Sequence, residues 1–223
     1  MPAQEVRSVL VSAVRSGAAT GVPRLTIIVA PSDPLDLVGN LAALGPAGAV
    51  GFQVRAKEVT TAELLSLTAA VLAAARPAGA PVLVDDRLDV ALAAGADGVH
   101  LGADDLPVAR ARAIADRVAP PGFLVGATCR DRDAVVAART AGADYAGFGP
   151  VAATTSKVGL PDPLGVAAVT RAAGVLPLVA IGGITPGLAR ATVTAGAHGV
   201  AVIGSVWRQP DPLDAAEALL GAL

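Results

Sequence analysis

The fold this sequence predicts is a single (β/α)8 TIM barrel, and three observations lead to it. Short apolar runs alternate with longer amphipathic stretches along the chain, an order that gives a parallel sheet with right-handed crossovers. One helix-to-strand junction recurs four times, as "PAGAVGFQV", "AAGADGVHLG", "TAGADYAGFG" and "TAGAHGVAVIG". Its glycines, Gly48, Gly95, Gly142 and Gly196, stand 47, 47 and 54 residues apart. That interval is roughly two βα units, so each copy precedes every second strand and eight strands result. The length of 223 residues suits one barrel domain over residues 1–223. An open doubly wound sheet is the rival.

Composition narrows the function classes. Hydrophobic residues make up 53% and aromatics only 2%, so the core must be Ala, Val, Leu and Ile. The most apolar stretch, "LTAAVLAAARPAGAPVLV", is broken by Arg76 and two prolines before it could cross a bilayer. One cysteine, Cys129, allows no internal disulfide and suits a reducing cytoplasm. A formal charge of −2 without a Lys/Arg cluster argues against nucleic acid. The expectation is a cytoplasmic protein that handles small molecules and engages no membrane.

The first element, in "MPAQEVRSVLVSAVRSG", reads as an extra N-terminal helix with Val6, Leu10 and Val14 at helical spacing. Glu5, Arg7 and Arg15 stand where a signal peptide needs an apolar core. Such a helix could close the barrel floor or join a homodimer. The strand candidates follow at 24–29, 49–55, 81–86, 98–102, 123–129, 145–151, 177–183 and 199–205. In a barrel, reactive groups gather where strands end and the next loops begin, so each strand end can be inspected for chemistry.

Strand 2 runs into "FQVRAK", where period-two alternation puts Gln53, Arg55 and Lys57 on one face. An amide and two cations make an anion site, because Arg grips phosphate oxygens bidentately and Lys adds a point charge. A loop of solvated charges is the plainer reading. Strand 3 ends in Asp85 and Asp86, and strand 4 is followed by Asp104 and Asp105. Adjacent strands delivering carboxylates to one rim suit Mg²⁺, which typically takes one or two carboxylates plus substrate phosphates. Helix capping would explain either pair alone, and Asp104 reads as a cap or a solvated charge.

Strand 5 ends "GATCR", with Thr128 inward and Cys129 toward the helices. The Thr128 hydroxyl could donate to a phosphate, although threonine is also an ordinary strand residue. After strand 6 comes "GFGPVAATTSKVGLPDPLG", whose Thr154, Thr155, Ser156 and Lys157 are candidate substrate contacts or simply a polar loop. Strands 7 and 8 end "AIGGI" and "VIGS". Gly182, Gly183 and Gly204 can bring backbone amides close to a phosphate at the position where barrels often hold one. His100, mid-strand, reads as a core or lumen residue, and His198 falls at the opposite end of the barrel. Two separate anion sites imply one substrate with a diphosphate and another with a monophosphate.

At this point the sequence resembles the thiamine phosphate synthase family. The family's "QxRxK" is similar to Gln53–Lys57, and its "NDRxDxAxxxGADGVHLGxxDLP" to "DDRLDVALAAGADGVHLGADDLP". Its "GxGP…TxTK" resembles Gly147–Lys157, its "AIGGI" Ala180–Ile184, and its "GVAVxS" Gly199–Gly204. The match runs from about residue 24 to 215. The resemblance implies that hydroxymethylpyrimidine diphosphate and hydroxyethylthiazole phosphate are joined with release of pyrophosphate, through a pyrimidine carbocation. It further implies that Gln53, Arg55, Lys57 and Lys157 grip the diphosphate, that Asp86 and Asp105 hold Mg²⁺, and that Thr128 replaces a diphosphate-contacting serine. Thr154 and Ser156 would meet the thiazole phosphate, together with the amides at Gly183 and at Ile203–Gly204.

Four departures stand out. Asp85 replaces an Asn that contacts the pyrimidine substrate, and an ionised carboxylate there would repel a diphosphate. Thr128 replaces Ser, "TCR" replaces "STH", and Gly204 replaces a phosphate-binding Ser. Two alternatives stay open: a paralogous enzyme such as a thiazole tautomerase, which uses a histidine where this chain has Arg130, and a non-catalytic thiazole or thiamine phosphate binder.

Overall fold

The computed structural model describes residues 21–155 and 161–223. The N-terminal helix, with any part it plays in the floor or a dimer, lies outside them, as do Ser156 and Lys157. Eight strands form: β1 (Leu25–Val29), β2 (Val50–Val54), β3 (Val82–Asp85), β4 (Gly98–Leu101), β5 (Leu124–Cys129), β6 (Tyr145–Phe148), β7 (Leu178–Ile181) and β8 (Gly199–Val202). They pair in parallel in chain order, and β8 returns to β1 with Leu25 opposite Val200. The ring is closed, which rules out the open sheet.

Most strands are one or more residues shorter than their apolar runs. Arg55, Asp86 and Gly102 lie just past the last ladder positions. The residues that carry charge or hydroxyl chemistry are therefore mostly loop starts, set by the strand beneath them.

Period-two alternation sorts the side chains. In β1, Leu25, Ile27 and Val29 join Phe52, Val54 and Phe148 in the core between barrel and helices. Ile28 faces the lumen with Leu83, Leu124, Tyr145, Val179 and Ala201. Strands buried on both faces read as continuous apolar runs. Cys129 is buried in the outer core, as expected.

Around the ring lie α1 (Val38–Ala42), α2 (Thr61–Ala75), α3 (Leu88–Ala94), α4 (Val108–Val118), α5 (Arg132–Thr140), α6 (Val166–Ala172), α7 (Pro186–Thr194), α8 (Gly204–Trp207) and α9 (Pro212–Leu220). Their starts are written locally. Thr60 and Glu63 form a capping box on α2, and Asp131, Thr185 and Asp211 cap α5, α7 and α9.

The four-fold repeat has a physical reason. Gly48, Gly95, Gly142 and Gly196 all adopt left-handed φ, from +70° to +103°, which lets a chain leave its helix sharply at low cost. Two residues after the last three of these come Asp97, Asp144 and His198. The Asp97 carboxylate accepts from Val82 N at 2.8 Å and that of Asp144 from Val125 N at 2.7 Å. His198 Nε2 donates to Val22 O at 2.8 Å. These three copies thus stitch the floor of the barrel to neighbouring strands and their approaches.

Candidate active site

A cavity of about 670 Å³ opens at the C-terminal end of the barrel, where βα loops converge. Its floor is apolar, with Ile28, Val179, Ile181 and Ala201, and its rim is polar. Gln53, Arg55, Lys57, Asp85, Asp86, Thr128, Thr154, Thr155, Gly182, Gly183, Ile203 and Gly204 all line it.

On the β2–β3 side, each cation already holds an acid. Gln53 Nε2 donates to Asp85 Oδ1 at 2.7 Å, and Arg55 Nε sits 3.1 Å from Asp85 Oδ2. The Asp85 side chain is only 9% exposed. Burial and then the charge of Asp86 push its pKa up to about 7, against the pull of Arg55, Lys57 and Gln53. The opening for repulsion between Asp85 and a diphosphate is therefore reduced twice, by partial neutralisation and by engagement with Arg55.

Asp86 has φ +66°, a left-handed conformation that Asp tolerates better than most residues. Its N–H donates to His100 O at 2.8 Å, which fixes the turn against β4. The Asp86 carboxylate receives Lys57 Nζ at 2.8 Å. Asp105 is held by the Gly102 N–H, which donates to its Oδ2 at 2.7 Å. Its carboxyl also hydrogen-bonds Asp86.

Two carboxylates meet this closely only with a positive charge or a proton between them. The pair divides accordingly. Burial works to raise Asp86, but the hydrogen bonds from Lys57 and Asp105 hold it below the ordinary range. Burial and the Asp86 contact raise Asp105. Of the two, Asp105 is the one shifted toward holding a proton, and an oxygen-loving cation between them would relieve the same repulsion. This donor set fits Mg²⁺ bound through two carboxylates, with waters and phosphate oxygens completing the shell. Asp104 is exposed and does not cap α4, since the residue before that helix is Pro107.

The β7–β8 side is built of backbone. Gly182 and Gly183 have φ of +96° and +64°. A Cβ at Gly182 would lie 2.5 Å from Pro150 Cβ, and one at Gly183 would lie 2.5 Å from Ala153 O. These glycines are needed for packing under the β6 loop as well as for close approach of a ligand. Ser205 Oγ donates to Ile184 O and so ties the two loops together.

Arg130 fastens the β6 loop, with Nη1 donating to Gly149 O at 3.3 Å and Nη2 to Asp162 O at 2.9 Å. Among the cavity residues that the sequence does not mark as site components are His100, Tyr145 and Arg208. Tyr145 has a weak signal, since alternation with Gly147 turns it inward. Arg208 passes over Gly204, whose added Cβ would meet Arg208 Cδ at 3.2 Å. It fills the room beside a residue that carries no side chain.

Known proteins share this chain's pattern. A family model described as thiamine monophosphate synthase matches residues 25–206. The chain is 46% identical to the thiamine biosynthesis bifunctional protein ThiM/ThiE of Symbiobacterium thermophilum, over 88% of this chain but 40% of that longer protein. It is 48% identical to a thiamine-phosphate synthase of Methanoculleus marisnigri, over 82% of this chain and 84% of the other. Among solved structures, a thiamine phosphate pyrophosphorylase from Pyrococcus furiosus superposes with a TM-score of 0.77 at 31% identity, covering 94% of this chain and 96% of that one. A 3-hexulose-6-phosphate synthase at 22% identity and TM-score 0.68 shares the fold.

Proposed function

The chain belongs to the thiamine monophosphate synthase family, and from that premise we propose how its barrel mouth works. The enzyme joins hydroxymethylpyrimidine diphosphate to hydroxyethylthiazole phosphate and is a transferase. The C–O bond between the pyrimidine methylene and the diphosphate breaks, pyrophosphate leaves with the electron pair, and the thiazole nitrogen supplies the pair for the new C–N bond. One observation carries this reading: Arg55, Lys57 and Asp86 share one cavity with the glycine-rich ends of β7 and β8 over an apolar floor, and Asp105 hydrogen-bonds Asp86.

Each group has a role. The apolar floor takes the flat pyrimidine and shields the cationic intermediate from water. Arg55 and Lys57 line the cavity from the end of β2, and in turning from Asp85 and Asp86 to the pyrophosphate they balance its developing negative charge. Gln53, Asp85 and Thr128 lie beside the same anion, and in this reading Lys157 joins them. Asp86 and Asp105 would hold Mg²⁺, which when bound supplies positive charge to the leaving group. The thiazole phosphate is assigned to Thr154, Thr155, Ser156 and the amides at Gly182, Gly183, Ile203 and Gly204. Arg208, beside Gly204, supplies a charge there that a hydroxyl would not.

The alternatives fit less well. Where a tautomerase would need its histidine, Arg130 is occupied with two loop carbonyls. Among the described residues no helix is long and apolar enough to cross a membrane; the reading places the enzyme in the cytoplasm with small phosphorylated substrates as partners. The test is direct. Purified protein is mixed with both substrates, with and without Mg²⁺, and thiamine phosphate and pyrophosphate are followed. Metal-dependent formation of both in equal amounts supports the reading; binding without turnover, or turnover indifferent to metal, defeats it.

A further inference from the structure

Beneath the diphosphate side lies a chain of polar groups of which only Thr128 has a part in the scheme above. The Tyr145 hydroxyl is 2.9 Å from His100 Nδ1, and His100 Nε2 is 3.0 Å from Thr128 Oγ1. Three strands supply the three residues, with His100 opposite Gly126 and Gly126 opposite Tyr145 in the barrel register. Glycines make the room. A Cβ on Gly126 would stand 2.2 Å from Tyr145 Cζ, and one on Gly147 would stand 2.7 Å from His100 Cε1. Both rings are held in one arrangement, with centroids 5.5 Å apart.

The direction of the hydrogen bonds follows from satisfaction. Tyr145 is buried, 3% exposed, and its hydroxyl meets the imidazole. A buried O–H must donate or lose a hydrogen bond, and Nδ1 is the acceptor at hand. An imidazole whose Nδ1 accepts the Tyr145 proton carries its N–H on the other ring nitrogen, which faces Thr128. With Nδ1 accepting, that N–H is on Nε2 and donates to Thr128 Oγ1. The hydroxyl of Thr128, already accepting from the ring, is left with its own proton facing the cavity. The opposite direction would commit the Thr128 proton to the ring and strand that of Tyr145, a state disfavoured roughly tenfold.

We propose that Tyr145 and His100 are positioning residues that fix the Nε2–H tautomer and thereby commit the Thr128 hydroxyl to donate to an anion in the cavity. This rests on the proposed function for the identity of that anion, the departing diphosphate, but the wiring itself does not. A wall of acceptors would repel a diphosphate; this relay turns an ambivalent hydroxyl into a one-way donor.

Two measurements test it. The first needs no substrate: ¹⁵N-imidazole NMR of the full-length protein, which has only two histidines, with His198→Gln used for assignment. The expected result is protonated Nε2 and bare Nδ1 on His100 in the wild type; a protonated Nδ1 overturns the proposal. The second is a double-mutant cycle of Tyr145→Phe with Thr128→Val, read as the KM for the pyrimidine diphosphate and the inhibition constant of pyrophosphate. Tyr145→Phe is expected to weaken both by about three- to tenfold in the enzyme that keeps Thr128, the worth of one hydrogen bond. It should change neither in an enzyme that already carries Thr128→Val. With Thr128→Ser instead, the sensitivity should return. Equal losses with and without Thr128→Val would show that Tyr145 acts by packing alone, and would overturn the relay. Were the wild type inactive on these substrates, the functional reading would fall while the NMR result still decided the wiring.

Discussion

The two ends of the barrel use aspartate in opposite ways. At the floor, Asp97 and Asp144 each accept a strand N–H, at 2.8 and 2.7 Å, and Asp144 also meets Arg112 at 3.2 Å. Those carboxylates are committed to the scaffold. At the mouth, Asp86 and Asp105 crowd together, and the largely enclosed Asp85 has a pKa raised to about 7. The same residue type, one strand length away, is crowded against its own kind and balanced by Arg55 and Lys57. Floor acids hold up the scaffold, and the proposed function gives the mouth acids a ligand to complete them.

Substitutions can break that contrast. The largest effect is expected from Asp86→Ala: a loss of activity on the order of 10²-fold or more in a steady-state assay, with the melting temperature close to that of the wild type. A variant that unfolds instead would move Asp86 to the scaffold class. Asp144→Ala should do the reverse, lowering stability by about 1–2 kcal/mol in urea titration because Val125 N and Arg112 lose a partner. Its kcat per folded molecule should stay unchanged.

Asp85→Asn sharpens the comparison with a smaller effect. The amide oxygen can still accept from Gln53, while the ion pair with Arg55 is lost and the guanidinium is freed for a diphosphate. Turnover is expected to hold or rise about two- to threefold, and a steep fall would show that this chain has given Asp85 a task of its own. The smallest effect concerns Cys129. Burial, followed by the charge of Asp131, pushes its thiol up to about 11. At pH 8 the thiolate is then about 0.1% of the total. A thiol reagent should count no cysteine in the native protein and one after unfolding.

The barrel was legible because its signals are local and repeated. Gly48, Gly95, Gly142 and Gly196 announce the junctions, and alternation in "LTIIV" or "VGFQV" tells the inside of a strand from its outside. Gln53, Arg55 and Lys57 were placed on one face by the same count. What one dimension could not show is which groups engage each other. Asp85 reads as a metal or substrate contact, yet it is gripped by Gln53 and Arg55 from the neighbouring strand and its end. Gly182 and Gly183 read as phosphate glycines, and their φ values and close contacts show that they also make way for Pro150 and Ala153. The bond from His100 to Tyr145 spans 45 residues and depends on barrel stagger, which no pattern in either segment encodes.

Arg130 carries a consequence for capture and release. One guanidinium clamps Gly149 O and Asp162 O, the two feet of the loop that bears Thr154 and Thr155. Trimming that single side chain would unhitch both feet together. Ligands would then be admitted and lost on a different clock, in a barrel whose walls had not changed.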